Sequence, residues 1–137
     1  MQAFEQKVRE SFGRQALMAT IGAELASVMP GAVEIRLPFG RHLTQQNDFL
    51  HAGVIASILD SACGYAALSV APGKEVLSVE FKVNLLSPAV GESFVARAQV
   101  KREGRTLTVC TADAFALQAG KETLVATMTA TIMNLMS

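Results

Sequence analysis

The sequence carries no excess of charge: Lys and Arg together number 12, as do Asp and Glu, in a chain of 137 residues. With no global field of either sign, neither nucleic acid nor an anionic membrane surface is an expected partner. Cysteine is scarce. Cys63 and Cys110 sit in apolar surroundings with no CxxC spacing, so neither a metal site nor a redox motif is expected, and the thiols are read as reduced in a cytoplasmic protein. The opening MQAFEQKVRESFG mixes acids and bases where a secretory signal needs an apolar stretch. No P-loop, dinucleotide fingerprint, zinc spacing or Gly-x-Ser-x-Gly elbow occurs, so metal chemistry and nucleotide hydrolysis are not expected and no cofactor is implied. Repeats, linkers and low-complexity tracts are missing too, and at 14.5 kDa a single domain over residues 1–137 is expected.

What is present is apolar. Half the residues are hydrophobic and 18% are charged, and a small chain of that composition is expected to cover part of its surface with another copy of itself. Phe4, Val8 and Phe12, with charges between them, predict a surface helix over residues 3 to 20. Pro30-Gly31 joins Ala23 to Met29 with Ala32 to Leu37 in a predicted hairpin, and residues 38 to 50 read as loop. From residue 75 the period becomes two. Val79, Phe81, Val83 and Leu85 fall on one face, and Ser78, Glu80, Lys82 and Asn84 on the other. Strands from Phe94 to Lys101, Thr106 to Gln118 and Leu124 to Met133 follow, the last with Leu124, Ala126, Met128, Ala130 and Ile132 on one face. Four consecutive hairpin-linked strands form an antiparallel sheet with one buried face.

That face needs something to cover, and the stretch FLHAGVIASILDSACGYAALSV, residues 49 to 70, supplies it: an apolar helix whose one acid is Asp60. A membrane span is the weaker reading, because a central Asp costs about 2.5 to 3.5 kcal/mol on insertion scales. A helix apolar nearly all round needs burial on every side. Asp60 is then the sharpest feature of the chain, since a carboxylate in apolar surroundings persists only with partners or a role. Ser57, Asp60, Ser61 and Gly64 recur at spacings of three and four and form one small, polar stripe. The stripe suits close approach by a slender ligand or tight helix packing across a dimer axis. His51-Ala52-Gly53 precede the helix proper, where backbone N–H groups lack intrahelical partners and the dipole favours negative charge. A developing oxyanion could sit there, or His51 could simply cap the helix.

H-A-G-x6-D at the start of this helix, followed by S-V-E-F-K-V-N-L-L-S-P-A, resembles the hotdog-fold acyl-CoA thioesterases of the PaaI-like group over residues 20 to 134. The resemblance implies an α+β hotdog fold, an antiparallel sheet wrapped around a long central helix, here with an additional N-terminal helix. It also implies an acyl-CoA substrate, with coenzyme A as part of that substrate, and active sites at a dimer interface. The family's acid falls on Asp60, its oxyanion N–H on Ala52 with Gly53 adjacent, and its strand hydroxyl on Ser78. The usual middle Gly of the motif is Ala52 here, which keeps the N–H and adds a methyl. A polar amide six residues before the His is Gln45 here, with Gln46 and Asn47 as alternatives. His51, Ser57, Ser61 and Gly64 are expected to line the substrate, and Arg102, Arg105 or Lys121 to meet the phosphates.

Ala52 and Asp60 are eight residues apart, about 12 Å along one helix, beyond the ~3 Å reach each needs to act on one carbonyl. If both act, each site takes one from either chain of a homodimer or homotetramer. A hotdog hydratase or dehydratase and a non-catalytic acyl-CoA binding module are the rival functions. Thiol release from acyl-CoAs separates the three.

Overall fold

The computed structural model describes residues 1–135; Met136 and Ser137, the last two positions of the expected domain, lie outside the described residues. The chain runs α1 (Ala3–Arg14), α2 (Ala16–Ile21), β1 (Glu24–Met29), β2 (Ala32–Pro38), α3 (Ala52–Leu68), β3 (Glu75–Leu85), β4 (Ser93–Arg102), β5 (Leu107–Gln118) and β6 (Lys121–Leu135). Six antiparallel strands form one sheet in the order β1-β2-β4-β5-β6-β3. The sheet wraps α3, which packs against β2, β3, β4, β5 and β6, and the fold is the one the resemblance implies. The core is the layer between them. Ile55, Ile58, Leu59 and Ala62 of α3 meet Ile35, Leu37, Phe94, Ala96, Ala114 and Met128, all buried. Alanines dominate the facing strands because a helix this close to a sheet leaves room for little more than a methyl.

Four sequence expectations need correction. The predicted helix over residues 3 to 20 is two helices. Gln15 between them is extended (φ −82°, ψ 99°), and its side chain is bonded to α3 instead of continuing a helix face. The four strands expected in hairpin succession are three. β4, β5 and β6 follow one another, but β2 already occupies the free edge of β4 (Ala32↔Gln99 to Pro38↔Ser93), so β3 lies across the sheet beside β6.

The third correction concerns faces. The register of β3 on β6 slips between Ser78 and Glu80: Val79 is a bulge, and a bulge reverses which residues face the core. Ser78 pairs with buried Ile132, Phe81 with buried Ala130 and Val83 with buried Met128. Ser78 therefore shares the helix-side face with Phe81, Val83 and Leu85 instead of lying opposite them. A second slip between Ala114 and Phe115 leaves Val125 as the extra residue of β6 and puts Leu124 beside Phe115, away from Ala126, Met128, Ala130 and Ile132.

β3 is also an edge strand with a free side and an apolar surface. Leu77 is 61% exposed, Val79 54% and Leu85 57%. The opposite surface of the sheet is polar and held by ion pairs. Arg97 reaches Glu122 at 2.6 Å and Glu34 at 3.5 Å and lies over the Phe115 ring.

Candidate active site

The helix α3 opens with a cap made by its own first side chain. His51 has extended backbone and its Nδ1 accepts a 2.8 Å bond from the Gly53 N–H, which fixes the imidazole with its proton on Nε2. Its carbonyl accepts from Val54 and Ile55. Glycine at 53 suits this cap, since a Cβ there would stand 3.0 Å from His51 Nδ1 and push the imidazole by a few tenths of an ångström. The Gly53 N–H is thereby occupied by the cap. Ala52 is the remaining one of the pair, exposed, with no bond to its N–H among the described residues. It is a helix-terminal donor on the positive end of the dipole.

Ala52 lines a cavity of about 360 Å³ with Gln45, Phe49, Leu85, Leu86 and Val125. Of the three amides considered, Gln45 is the one that lines it. Its Oε1 accepts from the N–H groups of Asn47 and Phe49, closing the tight turn before α3. That leaves its amide N–H₂ without a partner among the described residues. Gln46 and Asn47 are exposed at the turn.

The acid lies elsewhere. Asp60 is half-buried in a separate cavity of about 320 Å³ between α3, the start of β3 and α1. Ser78 Oγ donates to Asp60 Oδ1 at 2.6 Å, a short hydroxyl–carboxylate bond that the Val79 bulge makes possible. Ser61 and Gly64 line the same cavity. Ser61 donates to Gln15 Oε1 at 2.7 Å, and Ser57 donates back to the Gly53 carbonyl at 2.7 Å. The small polar stripe seen in the sequence is thus the part of α3 that the sheet leaves uncovered.

Arg102 and Arg105 are exposed at one end of the sheet, and neither makes an ion pair among the described residues. Arg105 shares a cavity with Lys74, Thr106 and Asn134. Lys121 stands at the far end of β6. Among the described residues no cluster of His, Cys, Asp and Glu could hold a metal, and no helix is long and apolar enough to cross a membrane. Both thiols are free and buried. Burial pushes Cys110 up to about 11 and Cys63 further, the latter helped by Cys110 and Asp60, so both stay protonated and unreactive at neutral pH.

Three residues of the acid cavity were not foreseen. Gln15, Ser11 and Tyr65 form a hydrogen-bonded wall, with Tyr65 Oη accepting from Gln15 Nε2 at 2.8 Å and from Ser11 Oγ at 3.3 Å. The signal was absent because Gln is a good helix former and nothing local marks a break.

A six-stranded antiparallel sheet wrapped around one long helix is the hotdog architecture. Residues 47–123 match the thioesterase superfamily, and the chain belongs to it and is a thioester hydrolase. It is 31% identical to human acyl-coenzyme A thioesterase 13 over 71% of this chain and 70% of that one. A thioesterase family protein of Silicibacter pomeroyi has a solved structure with TM-score 0.97 and 55% identity, covering 98% of this chain and 100% of that one. The PaaI protein from the Escherichia coli phenylacetic acid degradation operon shares the fold at TM-score 0.87 and 20% identity, covering 96% and 93%.

Proposed function

We propose that the chain hydrolyses acyl-CoA thioesters, with an aromatic or medium-chain acyl group, at a site shared by two copies of itself. One observation carries this. The free Ala52 N–H and the Asp60–Ser78 pair belong to different cavities, eight residues apart on one unbroken helix, about 12 Å. No single carbonyl can meet both in one chain. The exposed apolar edge of β3 lies between the two cavities, bearing Leu77 towards one and Leu85 towards the other. Pairing that edge antiparallel with its copy satisfies the strand's free backbone groups and places each chain's start of β3 against the other's end.

In the assembled site the thioester oxygen accepts from the Ala52 N–H of one chain. Asp60 of the other takes a proton from water, whose oxygen adds to the carbonyl carbon. The negative charge that develops on the carbonyl oxygen is stabilised by the Ala52 donor and the dipole behind it. As the carbonyl re-forms, the carbon–sulfur bond breaks and the thiolate leaves with the electron pair, to be protonated from Asp60. The products are a carboxylic acid and coenzyme A. Ser78 holds Asp60 and orients the water, and the amide of Gln45 reaches the same water from the partner's side. Arg102 and Arg105 are assigned to the phosphates. The site is complete in a homodimer, alone or doubled into a tetramer.

Thiol release from a panel of acyl-CoAs, followed by a colorimetric thiol reagent together with sedimentation of the same sample, tests the proposal. Turnover by a species of two or more chains is expected. A folded protein that binds acyl-CoA and releases no thiol, or an active monomer, would overturn it.

A further inference from the structure

The groove beyond Asp60 has a floor, two walls and a charge. Its floor is Gly64, in the interior of a helix, where a glycine weakens the helix relative to alanine. Packing within the chain does not require it: a Cβ there would meet nothing within 4 Å. One wall is the start of β3, Glu75 to Ser78, and the other is α1. The α1 wall is fixed by the Gln15 bonds to Ser61 and Tyr65 and by Lys7 Nζ, which donates to the carbonyls of Ala71 and Lys74 beyond the end of α3. The groove contains two acids, Asp60 and Glu75, and no Lys, Arg or His.

Resting on the thioesterase reading, we propose that this groove is the acyl subsite, that it takes uncharged acyl groups, and that Gln15 is a specificity-determining residue because it fixes the outer wall. The polyanionic end of coenzyme A is repelled by two carboxylates in a lining without a cation, the Lys7 ammonium being tied to the Ala71 and Lys74 carbonyls at its end, so the thioester lies with its acyl group here and its nucleotide outside. A terminal carboxylate on the acyl group is repelled for the same reason. Gly64 stands four residues, about 6 Å, beyond Asp60. At about 1.2 Å per bond in an extended chain, an acyl chain passes over it near its fifth bond, in the space a side chain would fill.

The test compares kcat/KM for acetyl-CoA, octanoyl-CoA and the eight-carbon acyl-CoA that ends in a carboxylate. In the wild type the carboxylate-ended substrate should be at least about tenfold poorer than octanoyl-CoA, as desolvating a charge costs more than a methyl gains. Gly64→Leu should cut the octanoyl-to-acetyl ratio about fiftyfold, since each of three methylene-sized groups left outside costs about fourfold. Gln15→Ala should lower the same ratio through a raised KM for octanoyl-CoA, and Gln15→Glu, which keeps the Ser61 acceptor, should recover part of it. Equal losses on acetyl and octanoyl substrates in both variants would overturn the proposal, as would wild-type indifference to the terminal carboxylate. Dissociation of Gly64→Leu into monomers would assign the glycine to the interface and overturn it too. Absence of thiol release from every substrate by the wild-type protein would instead bring down the thioesterase reading on which it rests.

Discussion

The start and the middle of α3 are built differently. At the start, His51, Ala52 and Gly53 are neighbours in sequence and assemble a cap and a free donor from local geometry alone. The cavity beside them has no ionisable lining residue. Around Asp60, one acid is surrounded by side chains from three elements: Ser78 from β3, Ser61 from α3 and Gln15 from the segment between the first two helices. A donor can be made by ending a helix. A functional carboxylate has to be held in orientation by groups brought from elsewhere, and this half of the site therefore depends on the whole fold.

The largest loss is expected from Asp60→Asn. The amide cannot take a proton from water, and turnover should fall at least about a hundredfold, the scale of general acid–base groups, with circular dichroism unchanged. Near wild-type turnover in a folded variant would remove the acid half from the chemistry. Ala52→Pro deletes only the donor, at a helix start where proline is tolerated, and should cost about a hundredfold in kcat. Each variant damages both sites of its own dimer. Refolded together, random pairing makes about half the dimers mixed, and each mixed dimer has one undamaged site, so activity should return to about a quarter of wild type. A mixture as inactive as its parents, with mixed dimers shown to form, would mean that the two halves do not meet across an interface.

The same contrast explains what the sequence reveals. Everything local was legible: the Pro30-Gly31 turn, the start of α3, the lone Asp60 and the stripe of Ser57, Ser61 and Gly64. The non-local features were not. The alternation of residues 75 to 85 runs unbroken in sequence, so nothing announces that Val79 is a bulge and that Ser78 turns to Asp60. That is decided by register against β6, some fifty residues on. The place of β3 at the far edge is likewise set by β2 having taken the side of β4. Gln15 leaves α1 for two hydrogen bonds with α3, a tertiary gain that overrides local propensity.

A smaller effect is expected at Ser78. Its hydroxyl orients Asp60 without taking or giving a proton, so Ser78→Ala should lower kcat about tenfold, at the lower edge of what a hydrogen bond to a charged group contributes. KM should barely move. A loss as large as that of Asp60→Asn would make the serine a participant in proton transfer and the acid half a two-residue relay.

The smallest effect is expected at His51, and it sharpens the difference between the halves most finely. In this structure the imidazole is a cap: Nδ1 accepts from Gly53, and the ring is exposed. His51→Ala should therefore cost about 1 kcal/mol of stability, the usual loss for an N-cap, read as a lower urea midpoint at fixed protein concentration, because the midpoint of an oligomer depends on it. His51→Asn keeps a side-chain acceptor for the first turn and should recover most of that loss. Since the free donor belongs to Ala52 and the cap only holds the backbone around it, turnover should follow the same order, falling a few-fold in the alanine variant and recovering with asparagine. If both substitutions abolish turnover while the asparagine variant remains as stable as wild type, the imidazole acts on the substrate. The start of α3 would then hold a titratable group of its own, and the division between a backbone half and a carboxylate half would fail.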